Sequence, residues 1–374
     1  MEVPILKIPF DQEDARSIGE DLSRMLLSGH LAMGEKCRLF ESALADFVGV
    51  RWAVGCQSGT AALEMIARAL DLAGGSVVVP ALTFMATALA PLAAGARIIV
   101  ADVDPISFQL DPEALVSQLR PDTRAIILVH LGGFMSSRWR ALVSLAQERG
   151  LYLIEDAAHA HGAEIEGVKA GSLGVAAAFS FYPTKVLTTA EGGAVTTSEA
   201  SLREKLLTLR QHGQKNPGSN LHESFGLNYR PSEIHALLGL RMMAKADWIL
   251  AQRRAAAAIY DQLLAHSPLQ AIQAAPGEKP AYYKYLALLP EKTARDKIKR
   301  RLKDEFQVSL AGEVYATPLT RQPFFVNNPQ SLAGPLCPAP VAEMVAERQV
   351  ALPIWPGLSL EAQEYVVDCL LRSL

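Results

Sequence analysis

Cysteine is scarce in this sequence, and the cysteines that are present form no recognisable pair. The four cysteines among 374 residues lie far apart, and none belongs to a CxxC arrangement. This spacing is typical of reduced, mostly buried thiols in a cytosolic protein. The N-terminal segment is charged and lacks an apolar signal core, so the sequence predicts a cytoplasmic location.

An excess of charge of one sign is also missing. The net charge is −3, and acidic and basic residues are interspersed without a basic patch or tail. The sequence therefore lacks the charge pattern that is usual in proteins that bind nucleic acid or anionic membranes. The long uncharged run at 72–96 contains Pro80 and Pro91 and a pair of glycines. A buried strand followed by a loop and a helix therefore fits it better than a membrane span.

Several common catalytic motifs are absent. The sequence has no GxGxxG after a strand, no GxSxG and no HExxH, and Glu35 stands where a phosphate-binding loop needs lysine. The pair His159 and His161 has no cysteine or carboxylate at ligand spacing, so no metal site is predicted. A serine or cysteine nucleophile has no local signature.

What the sequence does contain is an alternation of short β-rich runs with helical patterns over its first 200 residues. The candidate strands are 52–56, 76–80, 97–101, 125–129, 151–155, 176–181 and 194–197. Most lack in/out alternation, as strands covered on both faces should. The pattern predicts an α/β fold with an open, mostly parallel central sheet flanked by helices.

The pattern changes from about residue 200. Two helical stretches, 201–213 and 231–264, are followed by a proline-richer segment of mixed α and β character. We expect a large domain at 1–245 and a smaller α+β domain at 246–374.

The first of three informative segments is CQSGTAALEMI at 56–66. A strand, a small polar turn and a helix follow in order, which places Ser58, Gly59 and Thr60 at a helix N-terminus. Free N–H groups and the helix dipole favour a phosphate there. Ordinary helix capping by serine or threonine is the alternative.

The second segment is LYLIEDAAHAHGA at 151–163. An apolar strand delivers Glu155 and Asp156 to the carboxyl edge of the sheet, where ligands bind in open α/β folds. A carboxylate there can pair with a protonated pyridine nitrogen and keep the ring electron-accepting. The alternative is an acid that caps the next helix.

The third segment is FSFYPTKVLTTAEGGAV at 179–195. Ser180 lies on or just after a strand, and Lys185 is the single basic residue among apolar, aromatic and hydroxyl side chains. Burial would lower the pKa of such an amine from about 10.4 and favour imine chemistry. A solvated surface lysine is the alternative.

Taken together, the three segments describe a site for pyridoxal phosphate. One segment holds the phosphate, one holds the ring nitrogen and one forms the covalent imine. Phe84 follows the second strand at the same edge and could stack on the pyridine ring, although a core phenylalanine would look the same.

The sequence resembles the DegT/StrS-type sugar aminotransferases, a family of fold-type I pyridoxal-phosphate enzymes. The resemblance starts at SGHLAMGEKCRLFESALADFVG (28–49) and runs through SGTAAL, EDAAHAHGA, FSFYPTK, EGGAV and GLNYRPSEIHALLGL to LPIWPGLS at 352–359.

That resemblance implies roles for individual residues. Lys185 would attach covalently to the cofactor, Asp156 would contact the pyridine nitrogen, Phe84 would stack on the ring and His159 would lie against or beside it. The phosphate would be held by Gly59, Thr60 and Ser180. Asn228 would reach the phosphate from the neighbouring subunit, which implies a homodimer with its active site at the interface.

The resemblance also implies a reaction. An amino donor, usually L-glutamate, would leave the cofactor as pyridoxamine phosphate, and a keto sugar, usually nucleotide-linked, would then be aminated for polysaccharide or secondary-metabolite biosynthesis. A keto-inositol acceptor, and a non-catalytic regulatory or binding role on the same fold, remain alternatives. Departures from the family pattern at Trp355, 282–285 and 129–137 would lie at the sugar and nucleotide site.

Overall fold

The computed structural model describes residues 1–216 and 219–374. Within these residues the backbone forms one seven-stranded sheet and two three-stranded sheets. The strands, in chain order, are β1 (Trp52–Cys56), β2 (Ser76–Pro80), β3 (Arg97–Ala101), β4 (Thr123–Val129), β5 (Tyr152–Asp156), β6 (Glu164–Ile165), β7 (Val168–Lys169), β8 (Ala176–Ser180), β9 (Gly193–Thr197), β10 (Gln270–Ala271), β11 (Glu278–Lys279), β12 (Tyr285–Leu288) and β13 (Gln349–Leu352).

Helices connect and cover these strands. The α-helices, in chain order, are α1 (Gln12–Ser28), α2 (Glu35–Val48), α3 (Gly59–Ala69), α4 (Met85–Ala93), α5 (Pro112–Gln118), α6 (Trp139–Glu148), α7 (Ala200–Arg210), α8 (Glu233–Ala244), α9 (Ala246–Leu264), α10 (Arg295–Phe306), α11 (Pro323–Asn327), α12 (Pro340–Arg348) and α13 (Leu360–Leu371). Across the described part of the chain, no helix is both long enough and apolar enough to cross a bilayer.

The large sheet has the strand order β1-β9-β8-β5-β4-β2-β3. Strands β2, β3, β4, β5 and β8 pair in parallel, whereas β9 runs antiparallel to both of its neighbours, β1 and β8. The reversal at β9 leaves β1 pointing in the same direction as β8. The carboxyl ends of the six like-directed strands therefore meet at one edge of the sheet, where open α/β folds bind ligands.

The sheet is buried on both faces, which explains the sequence pattern of its strands. Strand β2 is buried at every position, and β1, β3 and β5 are buried at all but their first residue. Continuous apolar runs are what parallel strands between two helical layers require. The predicted α/β class with a mostly parallel sheet is confirmed, and the predicted strands shift by two residues or fewer at each end.

Helix α2 shows how distant residues complete a local element. Its N-cap is Gly34, which has no side chain to cap the helix. The carboxylate of Glu233 replaces that cap and accepts from the N–H groups of Gly34, Lys36 and Cys37 at 2.8–2.9 Å. The negative charge also suits the positive end of the helix dipole. This contact fixes α2 to the start of α8.

The smaller antiparallel sheet, β10-β12-β13, lies late in the chain. Lys245 is the residue between α8 and α9, so the predicted division after residue 245 falls between two helices. Division into two domains at this point remains a prediction.

Candidate active site

A cavity of about 380 Å³ lies at the carboxyl edge of the large sheet. This volume is in the range of small-molecule sites. The residues that line it include seven of the eight site residues predicted from the sequence: Gly59, Thr60, Phe84, Asp156, His159, Ser180 and Lys185. The fold therefore brings together residues that are up to 126 positions apart in the chain. Their individual roles stay predictions.

The N-terminus of α3 forms one wall of the cavity. Ser58 is its N-cap and accepts a hydrogen bond from the N–H of Ala61 at 3.1 Å. The first two helical residues, Gly59 and Thr60, have no intrahelical acceptor for their N–H groups, as at any helix start. Capping and anion binding are thus compatible here, because the cap occupies one N–H and leaves others facing the cavity.

Gly59 lies against the last residue of β8. A Cβ added to Gly59 would be 2.7 Å from the Cβ of Ser180, which is closer than real side chains approach. Only glycine allows the helix start to lie this close to the strand end. The result is a compact pocket with backbone N–H groups on one side and the Ser180 hydroxyl on the other.

Asp156 is the last residue of β5 and is buried in the floor of the cavity. Its Oδ2 accepts from the Thr87 hydroxyl at 2.8 Å, and its Oδ1 accepts from the N–H of Ala158 at 3.2 Å. Burial raises the pKa of this carboxyl, and the two hydrogen bonds offset part of that effect. Both donors are neutral, so a cationic donor in the cavity would stabilise the ionised form further.

Glu155, the preceding residue, points to the other face of the sheet, since side chains alternate along a strand. Its buried carboxylate contacts Nε2 of His130 at 2.8 Å. It also accepts from the backbone N–H groups of Gly171, Leu173 and Gly174 at 2.7–3.0 Å. Glu155 therefore anchors the loop before β8, and only Asp156 of the two acids faces the cavity.

Lys185 lies in the connection between β8 and β9, residues 181–192. This connection is held by hydrogen bonds from the N–H of Phe181 to the carbonyl of Gly192 and from the N–H of Thr189 back to the carbonyl of Phe181, both 2.9 Å. The two residues after the lysine, Val186 and Leu187, are buried in the core. These contacts explain why an apolar loop is ordered and why its single lysine faces the cavity.

The amine of Lys185 has apolar and aromatic surroundings. Its Nζ is 4.7 Å from the ring centroid of Tyr283, which also lines the cavity. Burial lowers the pKa of Lys185 to about 8; the Asp156 charge opposes this shift, and the Lys284 charge adds to it. A larger fraction of the amine is neutral at pH 7 than for a solvated lysine, as nucleophilic attack requires. The alternative of a solvated surface lysine is wrong for this position.

His159 is buried and stacks on Tyr283 with ring centroids 4.1 Å apart. Burial, together with the Lys185 charge, lowers the pKa of His159 well below its ordinary value, so the ring is neutral. Its Nδ1 accepts from the N–H of Gly132 at 3.4 Å. The hydrogen of the neutral ring is therefore assigned to Nε2, which donates to the hydroxyl oxygen of Tyr315 at 3.2 Å.

Phe84 is the N-cap residue of α4 and is 57% exposed. The alternative that it is a core phenylalanine is therefore wrong. Its ring lies 5.6 Å from that of Tyr315, and both rings line the cavity. An exposed aromatic ring at a cavity mouth is suited to stacking on a planar ligand.

Asn228, the eighth predicted residue, is exposed and lies outside the cavity of its own chain in the part that the structure describes. Its side-chain oxygen, Oδ1, accepts from the nearby N–H of Arg230 at 3.3 Å. Among the positions at which the sequence departs from the family pattern, Tyr283 and Val129 line the cavity. Trp355 is buried elsewhere, with Lys7 over its ring, so it does not contribute to this cavity.

Two residues at the site were missed by the sequence analysis. Thr87 lies one helical turn after Phe84, and that spacing could have indicated that both face the same edge. Tyr315 belongs to an irregular segment between α10 and α11, where no periodic pattern indicates direction. Only the tertiary fold places it beside His159.

The described residues fit pyridoxal phosphate. A helix N-terminus with free N–H groups lies beside Ser180 at one end of the cavity, and the Asp156 carboxylate lies on its floor without a cationic hydrogen-bond donor. The third group is the half-buried amine of Lys185. The helix N-terminus suits a phosphate, the carboxylate suits a pyridine nitrogen and the amine suits an aldehyde. Among the residues described, no cluster of three or more His, Cys, Asp or Glu could hold a metal ion.

Comparisons with known proteins agree with this arrangement. The family model described as the DegT/DnrJ/EryC1/StrS aminotransferase family matches residues 12–371. A pleiotropic regulatory protein of Geobacillus stearothermophilus is 32% identical, covering 98% of this chain and 97% of that protein. The UDP-N-acetyl-3-dehydro-α-D-glucosamine 3-aminotransferase of Acidithiobacillus ferrooxidans is 34% identical, covering 94% of this chain and 92% of that protein.

A solved structure with the same fold contains a bound reaction intermediate. S. venezuelae DesV, determined in complex with a ketimine intermediate, has a TM-score of 0.91 and 32% identity, covering 99% of this chain and 98% of that chain. The chain belongs to the DegT/DnrJ/EryC1/StrS aminotransferase family, and it is an aminotransferase whose cofactor is pyridoxal phosphate.

Proposed function

We propose that this protein transfers the amino group of L-glutamate to a nucleotide-linked keto sugar and that it works as a homodimer. The observation that carries the proposal is the shared cavity of Lys185 and Asp156 at the N-terminus of α3. The Acidithiobacillus relative, named for a UDP-linked keto sugar, supports the sugar as acceptor. Membership of an aminotransferase family supports the amino donor.

When bound, pyridoxal phosphate supplies an electron-accepting ring that stabilises negative charge at the carbon next to the transferred nitrogen. In the proposed mechanism, Asp156 would accept a hydrogen bond from the ring nitrogen and remain ionised. The start of α3 and Ser180 would bind the phosphate. Lys185 Nζ would pass the proton of the donor α-carbon to the cofactor in the first half-reaction and return it from the cofactor to the sugar carbon in the second.

Neighbouring aromatic residues would shape the site around these groups. Phe84 and Tyr283 provide apolar surfaces that exclude water from the reacting atoms. His159 donates through Nε2, and the hydroxyl hydrogen of Tyr315 is then free to donate to an oxygen in the cavity. Because burial raises the pKa of Tyr315 well above its ordinary value, this hydroxyl stays protonated.

Spectroscopy and a substrate screen test the proposal. Purified protein loaded with cofactor should absorb visible light, and L-glutamate should bleach that band with release of 2-oxoglutarate. A panel of UDP-, GDP- and dTDP-linked keto sugars, together with a keto-inositol, should then identify the acceptor that restores the band. A wild-type spectrum that no amino acid changes would refute the transaminase, and restoration by the keto-inositol alone would refute the sugar.

The homodimer is tested by mixing two inactive variants. If Asn228 serves the partner's site, Lys185→Ala and Asn228→Ala chains form mixed dimers in which one site is fully native. Random reassortment should then restore about a quarter of wild-type activity, because half of the dimers are mixed and each has one native site. Failure of the mixture to recover activity, with dimers present by sedimentation, would contradict a shared site.

The name of the Geobacillus relative points to regulation, and a non-catalytic regulatory role was the alternative to the aminotransferase activity. A chain that had lost catalysis would not need to keep an amine with a lowered pKa facing a carboxylate across a cavity. The glutamate-dependent bleaching described above separates the two candidates, since a regulator that only retains the fold would leave the band unchanged.

A further inference from the structure

Lys284 is a half-buried lysine whose amine has no partner among the described residues. Its Nζ lies 5.1 Å from the ring centroid of Tyr283, on the segment that leads into β12. Within the residues that the structure describes, its ammonium forms no hydrogen bond and no ion pair, and burial lowers the pKa of Lys284 to about 8. Lysine is rarely buried without a partner, because losing water around a charge is unfavourable. The buried, unpaired amine of Lys284 in a stable fold therefore needs an explanation.

The surroundings of Lys284 make the charge more unfavourable. The charges of Arg253 and Lys299 add to the lowering of its pKa, and the charge of Glu313 opposes it. Arg253 is fully buried and donates to the backbone carbonyls of Tyr282 and Ile354; in the part of the chain that the structure describes, no carboxylate contacts its guanidinium.

The carboxylate of Glu313, the one acid among these charged residues, already contacts other cations. Glu313 accepts a hydrogen bond from Lys299 at 2.5 Å and lies 3.7 Å from Nε of Arg295. Positive charge is thus in excess on the side of the cavity formed by Tyr283 and Tyr315.

This excess lies beside the reacting amine. Lys185 and Lys284 both approach the ring of Tyr283, so their nitrogens are no farther apart than the sum of 4.7 Å and 5.1 Å. Among the described lining residues, Lys185 is the only lysine or arginine. Once Lys185 is bonded to the cofactor, Lys284 remains as a cation beside the ring of Tyr283. The flexible four-carbon stem of a lysine allows its amine to turn around the edge of that ring.

We propose that Lys284 binds a carboxylate of the amino donor. This inference rests on the proposed function, in which the donor is an α-amino acid. A carboxylate between Lys284 and the cavity gives the unpaired ammonium a partner, and it offsets the excess positive charge. The aromatic wall of Tyr283 lies beside that carboxylate and excludes water from the ion pair. Lys284 would therefore orient the donor without taking part in proton transfer.

The donor half-reaction provides the test. Cofactor-loaded Lys284→Gln is mixed with increasing L-glutamate, and the bleaching of the visible band gives an apparent Kd and a limiting rate. We expect the apparent Kd to rise about 10- to 100-fold, as for loss of a charged hydrogen bond, with the limiting rate changed by less than about fivefold. Lys284→Arg keeps the charge and should retain most of the affinity.

Two comparisons sharpen the test. Lys299→Gln is the matched control, because that amine is paired with Glu313, and its donor affinity should match the wild type. L-glutamine and L-alanine retain only the α-carboxylate. An equal loss of affinity for all three donors assigns Lys284 to the α-carboxylate, and a loss confined to L-glutamate assigns it to the side-chain carboxylate.

A binding measurement covers the case in which Lys284→Gln loads cofactor poorly. Glutarate has two carboxylates and no amine, so its binding to wild type and to Lys284→Arg or Lys284→Gln can be measured by calorimetry without turnover. Weaker glutarate binding by Lys284→Gln alone supports the proposal. Unchanged affinity for glutamate and glutarate overturns it while leaving the transaminase intact, whereas a wild-type enzyme that no amino acid bleaches overturns the proposed function first.

Discussion

The hydroxyl of Thr87 donates to Oδ2 of Asp156 across 2.8 Å, from the first turn of α4 to the end of β5. Thr87 in turn lies 2.7 Å from the hydroxyl of Thr83. The two hydroxyls form a buried chain that fixes the orientation of the carboxylate facing the cavity. The residue that the sequence predicts to be the ring partner is thus held in place by residues that the sequence analysis did not single out.

Thr87→Val should weaken catalysis without removing the cofactor. The substitution keeps the shape of the side chain but leaves Asp156 with one backbone donor, so the carboxylate is less well oriented. We expect kcat/KM to fall about tenfold, as for a lost hydrogen bond to a charged group. Steady-state kinetics of the loaded enzyme measure this, with Thr83→Val as the comparison, which should have a smaller effect.

Asp156→Asn should raise the stability of the apo-protein and lower the activity of the loaded enzyme. Burial raises the pKa of Asp156 in the cofactor-free chain, so the ionised carboxylate destabilises that state, and a neutral amide removes the penalty. We expect the thermal midpoint of apo-protein at pH 7 to rise while turnover of loaded enzyme falls at least about a hundredfold. A lower thermal midpoint of the apo-protein would show that the buried charge of Asp156 does not destabilise the folded state.

The rate of cofactor attachment to apo-protein should follow the neutral fraction of Lys185. Because burial lowers the pKa of this amine to about 8, the rate should rise through a midpoint near pH 8. A solvated lysine would place it near about 10.4. Lys284→Gln removes a neighbouring positive charge and should move the midpoint upward. Stopped-flow absorbance against pH measures both.

The same shift affects stability in a defined direction. The folded-state pKa of Lys185 lies below that of the unfolded chain, so the unfolded state binds more protons between pH 8 and about 10.4. The contribution of Lys185 therefore makes apo-protein more stable as pH rises through this window. Lys185→Met should flatten that part of the profile, and an unchanged slope would argue against a buried amine.

Gly59→Ala should impair phosphate binding. The added methyl would be 2.7 Å from the Cβ of Ser180, so the helix start and the strand end must separate. We expect a loss of about 1–3 kcal/mol of stability together with weaker cofactor binding. Gly19→Ala is the matched control, since nothing lies within 4 Å of its added Cβ on α1. It should stabilise the helix by about 0.5–1 kcal/mol.

Glu155→Gln should damage the fold more than the chemistry. Glu155 is buried, contacts His130 and accepts from three backbone N–H groups, so an amide loses charge-assisted hydrogen bonds. We expect a loss of about 1–3 kcal/mol in unfolding free energy. The loaded fraction should keep its visible band and most of its turnover. Complete loss of the band at low temperature would place Glu155 in the cofactor site instead.

The local pattern of the sequence was enough to identify the sheet and the residues at its carboxyl edge. Continuous apolar runs are recognisable because a strand buried on both faces tolerates almost no polar side chain. The residues at or shortly after the ends of such runs, including Gly59, Asp156 and Lys185, must then lie near one edge. The predicted attachment site could be selected from them because each part of the cofactor requires a different chemical group.

The sequence could not indicate contacts between segments that are distant in the chain and irregular in backbone. Tyr315 reaches His159 from 156 residues away, and Tyr283 lies over the amine of Lys185 without any periodic pattern to signal it. Likewise, nothing local distinguishes Glu155 from Asp156, because both are acids at the end of one strand. The pleat sends them to opposite faces, and only packing against the neighbouring helices decides which face holds the cavity.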